Sequence, residues 1–384
     1  MRDQLPTVND VARRSGFSKT TVSRVVNRNG FVSSAAREAI LAAIDELGYV
    51  PSASARGLAT RQTGMIGICL PDDCFGSSGP LSPAPDDDVT LRLEPEPDGP
   101  VGWGGVYSNE VMRGAEYAAW EAGLAITVTM SREPDLEARV LNMAGRVDGL
   151  VVVGEALSDE VLEHVARRVP VVVVAAREYR APTHDHVTVS NAAGMERLVD
   201  HLVRDHALTD LVYVGGPAGV SDDDERFQGF CRALERAGLD VPAEPQLRGD
   251  FSRTTARSLG ADLVARVARG AAMPSGLVCA NDETALGLLD VLTANGYRVP
   301  DDVVLTGFDG VDAARTSVPP ITTVEQPMGE LGRVAVDVLT RRLATPRRRP
   351  TATTVPVTVV VRASCGVHDP QQLTVVEPAT SAAG

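Results

Sequence analysis

The sequence predicts an all-α N-terminal head followed by a two-lobed α/β core built on two doubly wound parallel sheets. Three observations predict it. Cap residues and helical apolar spacing recur three times in the first fifty residues. From Met65 onward, short β-rich runs alternate with amphipathic segments of helix length. The chain of 384 residues also exceeds one compact core, at roughly 150 residues per domain. A hydrophobic share of 43% with 23% charged residues is globular and excludes a wholly disordered chain. No apolar run approaches the roughly 18–20 residues of a membrane span, and MRDQLPTVND lacks the apolar region of a secretory signal. Cys69, Cys74, Cys231, Cys279 and Cys365 are scattered, with no C-x-x-C pair. That spacing argues against a zinc site or disulfide framework and for a reducing cytoplasm.

In the head, Thr7-Val8-Asn9-Asp10 has capping-box spacing, with the Thr7 hydroxyl expected to accept from the amide three residues on. Asp10 suits the positive helix end. Val11 and Ala12 face inward, and Gly16 supplies the left-handed residue that stops the helix. Ser18 can cap a second helix, Lys19 to Asn27, with Val22, Val25 and Val26 at helical spacing. Ser33 or Ser34 can cap a third, whose stripe of Ala36, Ile40, Ala43, Ile44 and Leu47 ends at Gly48. Residues 1–50 thus form one unit. Residues 51–62, polar and rich in small side chains, suit a linker that orders only on binding.

The core reads as MIGICL (65–70), helix 108–123, LAITVTM (124–130), helix 134–145, GLVVVG (149–154), helix 158–168 and PVVVVA (170–175). After helix 194–206 come DLVYVGG (210–216), helix 224–238, a strand near 246–249, helix 254–269, GLVCA (276–280), helix 282–295 and VVLTGFD (303–309). Continuous apolar strands separated by helices mean parallel sheets covered on both faces. About eleven strands are too many for one typical sheet and fit two. Residues 63–205 with 326–353 are expected to form the first lobe, and 206–325 with 354–366 the second. Residues 73–105, rich in Pro, Gly and Asp, interrupt the first lobe as disorder or as a lid or partner contact. Residues 367–384 read as a flexible tail without leucine heptads.

Net charge is −14, yet residues 1–62 hold eight arginines and Lys19 against five acids, leaving −18 on the remainder. A basic head on an acidic body is the asymmetry of a phosphate-binding module joined to something else.

These motifs resemble the lactose-repressor/galactose-repressor (LacI/GalR) family of transcription regulators. The residues that carry the resemblance are TVNDVARRSGFSKTTVSRVVN (7–27), VSSAAREAILAAIDELGYVPSASARGL (32–58), TGMIGICLPD (63–72), VMRGAEYAAWEAGL (111–124) and VDGLVVVG (147–154). ERFQGFCRALERAGL (225–239), GDFS (249–252), CANDETALG (279–287), RVPDDVVLTGFD (298–309) and PPITTVEQP (319–327) continue it. The family implies a helix-turn-helix head, a hinge helix and a two-lobed core like the periplasmic binding proteins. The head's own residues agree: Gly16 at the turn, Ala12 where helices cross, and Lys19-Thr20-Thr21 leading the second helix.

By resemblance, Lys19, Thr20 and Arg24 read bases in the major groove, and Arg24 suits the bidentate pairing to guanine. Thr7, Ser18, Thr21, Ser23 and Asn27 are implied phosphate contacts, which position without reading sequence. Leu58 matches the hinge leucine that wedges into the minor groove, and Ala55 the small residue where two hinge helices meet. Tyr107, Arg226, Phe251, Asn281 and Asp309 match ligand contacts between the lobes. Ser190 stands where many relatives carry an aspartate, and the tail of the insertion replaces the family's N-P-F-F segment. Both departures lie at the ligand cleft.

The implied function is a dimeric, sequence-specific regulator, more a repressor than an activator, that binds a pseudo-palindromic double-stranded operator under control of a small sugar-like effector. The rival classes are a sugar-binding receptor and an α/β enzyme without regulatory DNA binding. Neither accounts for residues 7–58. Gly215-Gly216-Pro217-Ala218-Gly219 lacks the G-K-[ST] of a P-loop, and no G-x-S-x-G elbow occurs. His184, Asp185 and His186, read as a loop, offer too few ligands for a metal. No catalytic residue, metal, cofactor or membrane contact is expected.

Overall fold

The computed structural model describes residues 6–26, 31–50, 62–71, 105–130, 136–154, 157–176 and 183–366. Asn27, Ala55, Leu58, most of the insertion (73–104) and the tail from 367 lie outside the described residues.

Three helices form the head: α1 (Val8–Ser15), α2 (Lys19–Val26) and α3 (Ser34–Leu47). Their apolar stripes meet in a small core of Val11, Val22, Val25, Ile40 and Ala43. Ser18 Oγ accepts from the Thr21 amide at 3.2 Å, and Ser33 Oγ from the Ala36 amide at 3.4 Å. Gly16 stops α1 at φ 77°. Thr7 forms the expected capping box with Asp10. Its hydroxyl and amide both donate to the Asp10 carboxylate, at 2.7 and 2.9 Å, which holds that carboxyl below its usual pKa. The Asp10 amide also donates to the Thr7 carbonyl.

The core contains two six-stranded sheets. The first comprises β1 (Met65–Leu70), β2 (Ala125–Met130), β3 (Gly149–Val153), β4 (Val171–Val174), β5 (Asp185–Val189) and β11 (Ala352–Val355). Its order is β11-β5-β4-β3-β1-β2, parallel throughout. The second comprises β6 (Leu211–Gly215), β7 (Leu247–Arg248), β8 (Gly276–Cys279), β9 (Val304–Asp309), β10 (Thr322–Glu325) and β12 (Thr358–Val360). Its order is β12-β10-β9-β8-β6-β7, with only β12 antiparallel. Every residue of β3 and β4 is buried, as an apolar run covered on both faces requires.

Helices α4 (Gly105–Glu121), α5 (Leu136–Ala144), α6 (Asp159–Ala166) and α12 (Met328–Ala344) pack on the first sheet or on one another. Helices α7 (Asn191–His206), α8 (Ser221–Ala237), α9 (Arg253–Ala268), α10 (Asp282–Ala294) and the short α11 (Asp312–Thr316) belong with the second. α4 and α12 approach so closely that a Cβ on Gly114 would collide with the Gly329 carbonyl, and one on Gly332 with the Val111 carbonyl. No helix among the described residues is long and apolar enough to cross a membrane.

The chain passes between the sheets three times: at Ser190, at 326–327 and at 356–357. α7 contacts α8, β10 and β12, whereas the sequence division at 205 had placed it with the first lobe. Of the three residues read as a loop, His184 lies in a bend, but Asp185 and His186 do not. Asp185 and His186 open β5, and all three are buried. Their polar groups misled the reading; the Asp185 carboxylate is balanced by a two-point bond from Arg342 at 2.7 and 2.8 Å.

Candidate DNA-reading head and ligand cleft

In the head, α2 turns Val22 and Val25 inward and leaves Lys19, Thr20 and Arg24 exposed, with Thr21 and Ser23 half-buried. Thr7 and Ser18 are exposed at the starts of α1 and α2. The Ser18 and Thr21 hydroxyls lie 2.8 Å apart. The result is a helix held by its apolar side, with its cationic and hydroxyl groups facing solvent.

The core holds a cleft of about 490 Å³. Its wall consists of strand C-terminal ends from both sheets: Pro71 after β1, Gly154 after β3, Ala175 after β4, Pro217 beyond β6, Asn281 beyond β8 and Gln326 after β10. Ligands of open parallel α/β sheets bind at such ends. Tyr107, Arg226, Phe251, Asn281 and Asp309 all line it; Ser190 does not. Ser190 instead precedes α7, and its amide donates to the Val355 carbonyl at 3.1 Å, at a crossing between the sheets.

Three cleft residues have strained backbones for non-glycine residues: Ala175 at φ 55°, Phe251 at φ 67° and Asp309 at φ 120°. The Phe251 ring lies against Gly216, where any Cβ would collide with it. Asn281 caps α10 by accepting from the Thr284 amide, and its amide group donates to the Phe251 carbonyl at 3.0 Å. One side chain therefore ties the helix start to the strained aromatic.

Arg226 is buried and largely engaged by the protein. Its Nε donates to Asn191 Oδ1 at 2.9 Å, Nη1 donates to the Ala280 carbonyl at 2.8 Å, and the guanidinium lies 3.8 Å over the Phe308 ring. The Asp222 and Asp309 carboxylates each stand 3.8 Å away. Asp309 also accepts from Gln326 Nε2 at 2.6 Å. Burial pushes its pKa up to about 6, against the lowering influence of Arg226. Burial likewise raises Glu283 and holds the Tyr107 phenol well above its ordinary value. Among the described residues, four carboxylates, Asp222, Asp250, Glu283 and Asp309, line the cleft against one guanidinium. With the Phe251 ring and the apolar Val106, Val153, Val220 and Val311, they give the described part of the pocket many hydrogen-bond acceptors.

Residues 7–52 match the family described as "Bacterial regulatory proteins, lacI family", and residues 199–365 match the "Periplasmic binding protein-like domain". The HTH-type transcriptional repressor PurR of Photobacterium profundum is 30% identical over 344 residues, 88% of this chain and 92% of that protein. The ribose operon repressor of Escherichia coli is 30% identical over 349 residues, 89% of this chain and 94% of that protein. The chain belongs to the lacI family. Among solved structures, a CelR transcriptional regulator–cellobiose complex superposes with a TM-score of 0.64 at 26% identity, covering 94% of this chain and 99% of that one. A lac repressor dimer bound to operator and the anti-inducer ONPF superposes at 0.73 and 24% identity, covering 95% and 100%.

As a lacI-family protein, the chain is a DNA-binding transcription regulator with an effector-binding core, and its named relatives are regulators rather than enzymes. Several cleft groups of this lacI-family core lay outside the sequence reading: Asp222, Asp250, Glu283 and Gln326, with Asn191 holding Arg226. Gln326 was visible only as part of TVEQP, and Asp222 not as a cleft residue at all. Their meeting requires the fold, since Asn191 bonds Arg226 and Gln326 bonds Asp309 across the lobe crossings. Away from the cleft, His201, His206 and Cys365 bring one possible metal-ligand atom each within 4.8 Å of one another. Asp205 already takes the His201 Nδ1 at 2.6 Å, and the Thr322 hydroxyl lies 2.9 Å from the Cys365 sulfur.

Proposed function

We propose that the protein is a ligand-controlled repressor that binds a pseudo-palindromic operator as a homodimer. The observation that carries this reading is the coexistence, in one chain, of the exposed Lys19-Thr20-Arg24 face of α2 and a two-lobed cleft at strand C-terminal ends. Lys19, Thr20 and Arg24 contact base edges. Thr7, Ser18, Thr21, Ser23 and Asn27 contact phosphates, and Ala55 and Leu58 act in the minor groove. Residues 1–50 serve as the reading domain and 51–62 as the hinge.

The second copy docks on α4, where Tyr117 and Trp120 are exposed with ring centroids 6.4 Å apart and Trp120 keeps 72% of its surface. Such a solvent-facing aromatic pair on a helix suits a subunit contact. The lac repressor that superposes on this chain is itself described as a dimer on its operator.

The effector is an uncharged, hydroxyl-rich molecule of the sugar class. Its hydroxyls donate to Asp222, Asp250, Glu283 and Asp309, and one face stacks on Phe251. Phosphorylated or carboxylate ligands meet an excess of negative charge. Tyr107, Arg226 and Asn281 shape the floor, with Arg226 neutralising part of the buried acid. Ser190 acts at the crossing between the lobes, away from the cleft wall. A ligand held by both lobes favours one angle between them, and three connections carry that angle to the hinge residues. The resulting change in operator affinity should fall in the usual range of about 1–3 kcal/mol.

Selection of binding sites from random duplexes by the full-length protein, followed by titration with and without neutral sugars, tests the reading. Enrichment of an inverted repeat whose affinity shifts with one sugar supports it. A protein that enriches no site, with and without sugars present, would overturn it.

A further inference from the structure

The first sheet is parallel throughout, so its strand N-terminal ends share one pole of the lobe, opposite the ligand cleft. The chain enters from the head at that pole. The Thr63 and Gly64 amides both donate to the Asp148 carboxylate, at 2.6 and 2.8 Å, which pins the entry point just before β1. Residues 51–61 can span at most about 40 Å of chain. The head is therefore tethered to this pole within that reach.

Arginines gather there. Arg146 precedes β3, Arg167 and Arg168 precede β4, and Arg347, Arg348 and Arg349 precede β11; all six are exposed. This runs against a core whose formal charge, outside residues 1–62, is −18. The carboxylates at the same pole are mostly engaged. Asp148 holds the entry amides, Asp185 is bound by Arg342, and Glu163 stands 3.5 Å from Arg167; Glu121 ends α4 nearby.

The 347–349 loop is held rather than loose. Arg342, anchored by Asp185, donates to the carbonyl of Arg348 and, at 2.9 Å, to that of Arg349. The Thr351 amide and hydroxyl bond the same Asp185 oxygen at 2.8 and 2.9 Å. The loop backbone is thereby fixed, while the side chains of Arg347, Arg348 and Arg349 pair with no carboxylate among the described residues. Arginines in the last turn of a helix often offset its negative end. These three lie beyond the end of α12 at Ala344, so that role does not account for them.

We propose that this arginine-bearing pole is a second, sequence-independent DNA surface that binds backbone phosphates of the duplex flanking the segment held by the heads. The proposal rests on the DNA-binding reading above and adds a contact made by the core itself. Phosphate contacts by Arg347, Arg348 and Arg349 would release counterions and steepen the salt dependence of binding without reading bases.

The test uses the full-length protein and two mixed-sequence duplexes of about 20 and about 40 base pairs, titrated by fluorescence anisotropy from roughly 50 to 200 mM salt. The Arg347→Gln, Arg348→Gln, Arg349→Gln triple variant is compared with a matched control, Arg266→Gln, Arg269→Gln, Arg298→Gln, which removes three exposed arginines from the second lobe. On the longer duplex, the first triple should lower the slope of log affinity against log salt by about 5, at about 0.9 per phosphate contact and three contacts from each protomer of the dimer. The control should leave it unchanged. If the triple variant misfolds, each single substitution should lower the slope by about 1.8, one contact from each protomer. An unchanged slope, or equal losses in both triples, overturns the core surface and leaves the head's DNA binding standing. A lowered melting temperature with the parental slope likewise assigns the arginines to folding alone. A wild-type protein that binds neither duplex defeats the DNA-binding reading and this surface with it.

Discussion

Lys19 and Arg24 share the exposed side of a short helix whose valines are all committed to the head core, so their substitution separates recognition from folding. Arg24→Ala should relax the preference at one base position by about 1–3 kcal/mol, read by comparing affinities for the selected site and its point variants. Its melting temperature should match that of the parent. A uniform loss across all sequences would reassign Arg24 to phosphate. Deeper in the chain, Asp282 accepts from the Gly310 and Val311 amides at 2.7 and 2.8 Å and from the Thr323 hydroxyl at 2.6 Å. Burial nevertheless pushes its pKa up to about 8, as it pushes Asp309 to about 6. An unfolded aspartate titrates near about 3.9, so the folded state holds these protons more tightly. The stability they contribute is complete below about pH 4 and is lost as pH rises through 6 and then 8. Asp282→Asn should therefore gain in melting temperature relative to the wild type as pH is raised from 6 to 9. Parallel curves would place its titration elsewhere. At the cleft, Phe251→Ala should weaken the sugar-class ligand about tenfold or more while leaving the unliganded protein's operator affinity intact. An unchanged ligand affinity would remove the ring from the site.

Among elements, α4 carries two separable roles on opposite faces. One face meets α12 through Gly114 and Gly332, where backbone touches backbone. Gly114→Val should cost about 1–3 kcal/mol by forcing the helices apart, measured by denaturant unfolding. The other face presents Tyr117 and Trp120 to solvent. Trp120→Glu should shift the protein toward monomer in light scattering and weaken operator binding with little effect on monomer stability; a dimer that persists would move the interface off this face. The elements most legible in the sequence were those with continuous apolar runs, such as GLVVV in β3 and VVVV in β4. β5, β10, β11 and β12 were missed because threonine, histidine and aspartate occupy them. Thr322 and Thr323 are fully buried in β10 because Arg362 and Asp282 accept from their hydroxyls. A polar strand is stable only when those partners exist, and the partners lie about 40 residues away in sequence.

For the whole molecule, the reading domain, the hinge and the cleft act through one chain. Ligand binding should change operator affinity about 5- to 150-fold, in either direction. Leu58→Ala should reduce specific affinity far more than nonspecific affinity, measured on the selected site and a scrambled duplex; equal losses would exclude a wedging role. Resemblance to the family picked out five of the residues that line the cleft, and the sequence by itself determined the three-helix head, the alternation of strands and helices, and the charge split between head and body. Those features are local: caps, helical spacing and apolar runs express themselves within a few residues of where they are written. Tertiary structure alone decided how the carboxylates are placed around Arg226, that Ser190 sits at a crossing rather than in the cleft wall, and that arginines from three separate connections share one pole. Each depends on which strand ends come together, and strand order in a parallel sheet is set by long-range packing rather than by neighbours in the chain.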